Sequence, residues 1–360
     1  MRAAVLHSVD DEKIDIRDDV VAVGPGPGQV KIAVRAAGVC HSDLSARTGA
    51  LPQPMPAILG HEAAGDVIAV GAGVTELAVG DRVIANWLPP CASCPSCLRG
   101  EPYLCMTHVI AAYLEPRFLV GDTPAFGFGG CGAFAEEMVV PLEGAVKIAA
   151  DVPYEVAALI GCGVMTGAGA VINTARVEPG ATVAVIGCGG VGIAAIQGAR
   201  LSGAAVIVGV DTAESKHEAA RRFGATHAVH PDQLAGLLAE LTGGEGVDYA
   251  FEVVGTPQTI RAAWTAARRG GTVVIVGAGR ADVQVEFTPF ELLFDGKKMV
   301  GSLYGSADVR RDYARLLGLW RAGRLDLEGM ITQRLKLDDI NHALAALGQG
   351  DVVRQVIIGD

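Results

Sequence analysis

The sequence predicts an α/β protein in two parts, a mostly-β half joined to a doubly wound parallel sheet, and three observations carry that reading. The first 150 residues read as short apolar alternations broken by turns. A Pro/Gly turn at 24–28 precedes QVKIAV, and GDVIAVGAGV and GDRVIANW repeat the style. Beyond about residue 160 come four β-branched runs, ATVAVIG (181–187), AVIVGVD (205–211), VDYAFEVVG (247–255) and GTVVIVG (271–277). Apolar at nearly every position, they suit strands covered on both faces. Helix-like segments at 213–223 and 259–267 separate them, and strands alternating with helices argue a parallel sheet. From about Tyr304 the chain turns more polar, with helices expected at 308–322 and 338–347 and a closing strand, VRQVII.

Composition narrows the function classes. A chain of 360 residues is long for one core, so two domains are expected. Half the residues are hydrophobic and the net charge is -11, which opposes nucleic-acid binding, since phosphate contact relies on clustered Lys and Arg. The start, MRAAVLHSVDDEKIDIRDD, becomes acidic before an apolar signal region develops, so a cytoplasmic protein is expected. The uncharged stretches 156–175 and 179–199 are long enough to cross a membrane. Gly161, Gly163, Gly167 and Gly169 in the first, and a glycine-rich turn inside the second, make both read as buried core, so no membrane partner is expected.

There are eight cysteines, and without an export signal metal binding or burial explains them better than disulfides. Four are spaced Cys91-x2-Cys94-x2-Cys97-x7-Cys105 in CASCPSCLRGEPYLC. Four thiolates on a short loop make a closed tetrahedral zinc site, with no position left open for chemistry. Pro95, Gly100 and Pro102 suit a loop that turns back on itself.

Gly187-Cys188-Gly189-Gly190-Val191-Gly192 fits G-x-G-x-x-G, follows a strand, opens the helical run VGIAAIQGARL, and precedes an acidic residue, Asp211, at the next strand's end. Gly187 permits the tight turn, Gly189 lets a pyrophosphate approach the backbone, and Gly192 allows close helix–strand packing. The pyrophosphate sits at the positive helix N-terminus. Asp211 accepts from ribose hydroxyls and repels a 2′-phosphate, which favours NAD over NADP. Lys216 reads equally as a second ribose contact or as a solvated helix lysine.

Cys40 in GVCHSDLS, His61 in LGHEAAG and Cys162 in LIGCGVMTG form a possible second metal set. One His and two Cys match a catalytic zinc site with its fourth position open. Spacing alone leaves two alternatives standing, a core cysteine and a hydrogen-bonded structural histidine.

The combination GVCHSD, GHEAAG, the four-cysteine lobe, LIGCG, GCGGVG and Asp211, in that order and over nearly the whole chain, resembles the zinc-dependent medium-chain alcohol dehydrogenases, close to their liver-type and formaldehyde dehydrogenase branch. The resemblance implies a GroES-like catalytic domain from 1–163 and 304–360, with a structural zinc lobe near 88–108, and a Rossmann domain over 164–303. It implies two zinc ions per subunit, a catalytic one on Cys40, His61 and Cys162 and a structural one on Cys91, Cys94, Cys97 and Cys105. Glu62 becomes a carboxylate near the metal, Asp43 the partner that orients the His61 ring, and Ser42 the hydroxyl beside the substrate oxygen. Thr166 and Val276 map near the nicotinamide, and His41 and Arg354 near the cofactor phosphates; Cys131 and Cys188 match no ligand position.

The implied reaction interconverts alcohols, primary or aromatic ones best, with aldehydes or ketones by hydride transfer to NAD. Trp87, Phe128 and Leu51 line the implied pocket, with Phe294 contributed by a second copy. A homodimer or homotetramer pairs near 283–305. Two departures bear on chemistry. Ser45 stands where liver-type enzymes end their proton relay in histidine, and Val109 stands where the glutathione-dependent branch places an arginine for a carboxylate. Oxidation of a thiol–formaldehyde adduct, and turnover on permanently bound NAD, are the alternatives.

Overall fold

The computed structural model describes every residue except Asp10, Asp351 and Asp360. The described chain divides into two compact units: Met1–Cys162 with Asp308–Leu317 and Leu327–Asp360, and Gly163–Ala307 with Gly318–Asp326.

The first unit is built on two sheets. One has six strands, in the order Asp15–Arg17, Ala3–Leu6, Ala57–Ile58, Thr123–Gly127, Phe118–Val120, Val20–Ala22. The other has seven, running Ala145–Lys147, Arg82–Ala85, Glu62–Val70, Gln29–Val39, Arg354–Ile358, Ile331–Leu335, with Glu137–Pro141 also paired to the central Gln29–Val39. That central strand reads QVKIAVRAAGV and alternates half-buried with buried positions until its last four residues, which are all buried. Its register sets the site. Gly38 lies opposite Glu62, and Val39 opposite Gln355, so Cys40, His61–Glu62 and Arg354 reach the same end of the sheet. Gly38 is required there, because a side chain on it would collide with the Glu62 carboxylate and the Arg354 guanidinium.

The second unit is a six-stranded sheet whose neighbours all pair parallel, in the order His227–Val229, Val206–Val210, Thr182–Ile186, Val247–Glu252, Ala267–Ile275, Lys298–Gly301. Numbered by sequence this is 3-2-1-4-5-6, the dinucleotide-binding order. The expected strands and helices are present with ends shifted by a few residues; 213–223, for example, becomes Glu214–Arg222, and 259–267 becomes Pro257–Ala266. The 156–175 segment lies within one long helical run, Tyr154–Ala175, with 83% of its apolar window buried inside the protein. Two stretches of it, Ile160–Val164 and Ala170–Ala175, are π-helical rather than α-helical.

Candidate active site, cysteine lobe and dinucleotide turn

At the shared end of the seven-stranded sheet, Cys40, His61, Glu62 and Cys162 each present a donor atom, all within 4.8 Å of one another and all buried. Each arrives by a different route. Cys40 follows the last residue of strand Gln29–Val39 and caps the helix His41–Arg47. His61 sits between Gly60, in the left-handed region at φ 86°, and strand Glu62–Val70. A side chain on Gly60 would strike the ring of Phe134 at 2.7 Å, so that bend takes only glycine. Cys162 stands in the first π-helical stretch, where an extra residue per turn re-aims side chains and functional groups are common. Its neighbour Gly161 brings the helix close to the sheet, since a Cβ there would lie 3.2 Å from Ala85 O and 3.6 Å from Ala63 N. Tyr313 donates to that same Ala85 carbonyl at 3.3 Å and to Gly161 O at 3.5 Å.

Asp43 organises this cluster from beneath. Fully buried, it accepts from Cys40 N at 2.9 Å and Gly60 N at 3.0 Å, and meets His61 Nδ1 at 3.1 Å. With Nδ1 committed, His61 Nε2 is left buried without a hydrogen-bond partner among the described residues. A buried imidazole nitrogen with no partner, beside two thiols, is what a metal ligand looks like when its carboxylate partner has fixed the ring. Burial works against charge on His61, but the charge and hydrogen bond of Asp43, followed by Cys40, raise its pKa to about 10. Cys40 is pushed well below the ordinary thiol value by a hydrogen bond from Cys162 and by His61, against the opposing effect of burial. Protons and a metal therefore compete for these donors, and the soft Cys–His–Cys set suits zinc.

Glu62 is ion-paired to Arg354, both buried. Arg354, expected near the cofactor phosphates, places its guanidinium on Glu62 beside the donor cluster. Ser42 Oγ lies 3.8 Å from Cys40 Sγ, and His41 is exposed at the first position of its helix. The rings of Phe128 and Trp87 stand edge-on to His61, at 5.2 and 6.3 Å between centroids, and Leu51 packs half-buried on the adjoining core. Phe294 belongs to the second unit, exposed on the helix Pro289–Asp295 and stacked on Phe290 at 4.3 Å.

The sulfurs of Cys91, Cys94, Cys97 and Cys105 also gather within 4.8 Å. Backbone N–H groups of Cys94 and Cys91 donate to Cys91 Sγ and Cys105 Sγ, each at 3.3 Å, and Ser93 Oγ donates to Cys91 Sγ at 3.6 Å. The thiols diverge in consequence. Thr107, then Ser93 and Cys94, lower Cys91 to about 5, while burial and the neighbouring Cys94 push Cys97 up to about 12. One thiolate is accommodated and the next is penalised, which a shared divalent cation would relieve. Thr107 was not singled out from sequence; its place two residues after Cys105 was the available signal.

In the second unit, Gly187 has φ 98° and ends the strand Thr182–Ile186. A Cβ on Gly192 would collide with Gly187 O, whereas Gly189 faces open space. Gly190 and Val191 open the helix Gly190–Leu201. Asp211 accepts from Cys188 N at 2.8 Å and Ala213 N at 3.0 Å, which ties the acidic residue to the turn. Lys216 is buried, and Thr166 is half-buried in the helix Met165–Gly169. Val276 N donates to Glu252 O at 2.8 Å, fixing the backbone at that strand end. Cys131 and Cys188 are buried thiols that burial raises to about 11 and about 12.

A GroES-like sheet unit carrying a buried Cys–His–Cys set and a closed four-thiolate lobe, in one chain with a 3-2-1-4-5-6 dinucleotide fold, defines a zinc- and nucleotide-dependent dehydrogenase. Comparison with known proteins agrees. Residues 26–150 match the alcohol dehydrogenase GroES-like domain and residues 190–321 the zinc-binding dehydrogenase domain. The chain is 38% identical to an alcohol dehydrogenase class-3 from Cereibacter sphaeroides and 37% identical to an S-(hydroxymethyl)glutathione dehydrogenase from Paracoccus denitrificans, in each case over 93% of this chain and 94% of the relative. The solved structure of benzyl alcohol dehydrogenase from Acinetobacter calcoaceticus superposes with a TM-score of 0.91 at 29% identity, covering 100% of this chain and 99% of that one. The chain belongs to the zinc-dependent alcohol dehydrogenase family and is an oxidoreductase.

Proposed function

We propose that this enzyme oxidises primary or aromatic alcohols, and reduces the corresponding aldehydes, at a site built on Cys40, His61 and Cys162. The carrying observation is the buried His61 Nε2, partnerless among the described residues, within reach of two thiol sulfurs. Zinc held by these three residues would polarise an alcohol oxygen, and NAD held by the glycine turn and Asp211 would accept the hydride. The chain's own groups do the rest. Asp43 fixes the imidazole orientation, and the Arg354–Glu62 pair keeps a second carboxylate beside the donors without net charge. Ser42 takes the alcohol proton as it passes its own hydroxyl proton on, and with Ser45 in place of a terminal histidine the exit runs through water, the cofactor ribose or a different base. Trp87, Phe128 and Leu51 give the substrate body an apolar, aromatic wall, and the benzyl alcohol dehydrogenase likeness supports an aromatic substrate.

Further assignments belong to the same reading: structural zinc on the cysteine lobe, His41 and Arg354 toward the cofactor phosphates, Thr166 and Val276 toward the nicotinamide, and Lys216 toward the ribose. The proposed domain division, 1–163 with 304–360 and 164–303, differs from the compact units in Gly163, 304–307 and Gly318–Asp326, which group with the second unit. The location is cytoplasmic, in keeping with eight free thiols. Phe290, Leu293, Phe294 and Met299 are exposed on and beside the edge strand Lys298–Gly301, a surface suited to pairing two copies. Equilibrium sedimentation that finds a monomer would overturn the pairing.

NADH formation from free NAD⁺ across aliphatic and aromatic alcohols, with zinc-replete protein, tests the main reading. Turnover ranking aromatic above small alcohols supports it. The second reading, oxidation of a thiol–formaldehyde adduct, is favoured by the likeness to the S-(hydroxymethyl)glutathione dehydrogenase. It would be selected by strict dependence on added thiol, and Val109 in place of a carboxylate-binding arginine argues against it. Nucleotide that survives desalting would instead select permanently bound NAD.

A further inference from the structure

We infer that Tyr113 is a specificity-determining positioning residue, a latch that sets the distance between the two apolar walls of the alcohol site. The inference rests on the alcohol reading above, and its observations come from the helix Thr107–Leu114, which touches both walls.

One wall is the segment after the helix His41–Arg47. Leu51 N donates to Ser45 O at 3.0 Å, and Pro56 O accepts from Phe126 N at 2.9 Å. Between those anchors lie Pro52, Gln53, Pro54 and Met55. Two of the four are prolines without an N–H, so the backbone has few means of tying itself down. Among the described residues one hydrogen bond joins this stretch to a distant element: Tyr113 donates its hydroxyl proton to Pro52 O at 2.8 Å. Leu51, the pocket-lining residue, is the anchor directly before Pro52, so the latch acts on it through one peptide link.

The other wall is the turn Phe128–Gly130, whose Phe128 ring faces His61. The residue before Tyr113, Ala112, is buried against this turn; a Cβ on Gly130 would lie 3.0 Å from Ala112 Cβ. Gly129 is in turn close-packed on His61 itself and on its neighbour Trp87, 3.3 Å from each Cβ by the same measure. Adjacent residues of one short helix therefore hold the Phe128 wall by packing and the Leu51 wall by a hydrogen bond. The packing contact is rigid, and the hydrogen bond is the adjustable half.

Tyr113→Phe keeps the ring and removes only the latch. With the zinc-loaded full-length enzyme, KM for benzyl alcohol, which spans both walls, is expected to rise about three- to tenfold, the range of a typical hydrogen bond. KM for ethanol and both kcat values stay within twofold, because the metal cluster is untouched. Amide exchange at Leu51 and Phe126, whose N–H groups make the two anchoring hydrogen bonds of the stretch, read without any substrate, is expected to accelerate by a similar factor. Unchanged exchange at those amides would overturn the latch. Faster exchange with an unaltered benzyl alcohol to ethanol ratio would overturn its role in specificity. Wild-type enzyme that oxidises neither alcohol would overturn the reading of the site instead, and the exchange measurement would still decide whether the latch exists.

Discussion

In the cysteine lobe, four sulfurs come from one short run and are steadied by backbone N–H groups of that same run together with the hydroxyls of Ser93 and Thr107. At Cys40, His61 and Cys162, three donors come from two strand ends and a distorted helix, and what steadies them is a buried set of charges: Asp43, Glu62 and Arg354. Both regions gather soft donors within the same small radius. The first does so by local chain geometry, with thiols at all four positions. The second does so by tertiary structure, with aromatic rings and Ser42 rather than a fourth thiolate at its margin. A metal site meant to hold a fold can be written in one loop. One meant to exchange a ligand needs support from residues that do not bind the metal.

The largest effect should come from Cys40→Ala. Turnover is expected to fall to background and zinc from two ions to one per chain, while the melting temperature changes little; near-normal activity would break the contrast at its root. Cys97→Ser should do the reverse. Zinc again falls to one, but the melting temperature drops by roughly 5–10 °C, since structural zinc contributes folding energy directly, and the protein that remains folded stays active. Calorimetry with metal analysis on both variants separates the two roles. Asp43→Asn keeps the shape and removes the charge behind His61, so affinity for the catalytic zinc is expected to weaken about 10–100-fold in a chelator competition, with the lobe unaffected. The smallest effect belongs to Ser93→Ala. Its hydroxyl is one of several donors to a half-buried sulfur, and zinc release from the lobe should quicken no more than about threefold. A larger loss would show that the lobe depends on side chains more than on its backbone.

The same contrast explains how much was legible beforehand. Cys91 to Cys105 could be read from spacing because ligands close in sequence must be close in space. The parallel sheet could be read because Val183–Val185, Ile207–Val208 and Val273–Val274 are buried on both faces and look it. The catalytic set could not be read that way. Cys40, His61 and Cys162 are joined only through the register of three strands and one π-helical turn, so family resemblance had to supply what periodicity lacked. Arg354 shows what residue-by-residue transfer leaves out, since its buried pairing with Glu62 depends on Gly38 leaving space between them. Tyr113 left no trace in the pattern, because a hydroxyl reaching a carbonyl across 61 positions has no sequence signature.

The pairing of Val39 with Gln355, one residue from Arg354, makes the donor cluster a product of long-range closure. Arg354 meets Glu62 across 292 positions, so the charge balance beside Cys40 and His61 is set only when the strand Arg354–Ile358 docks on Gln29–Val39. The four sulfurs of the cysteine lobe lie within fifteen positions and need no such docking to come together.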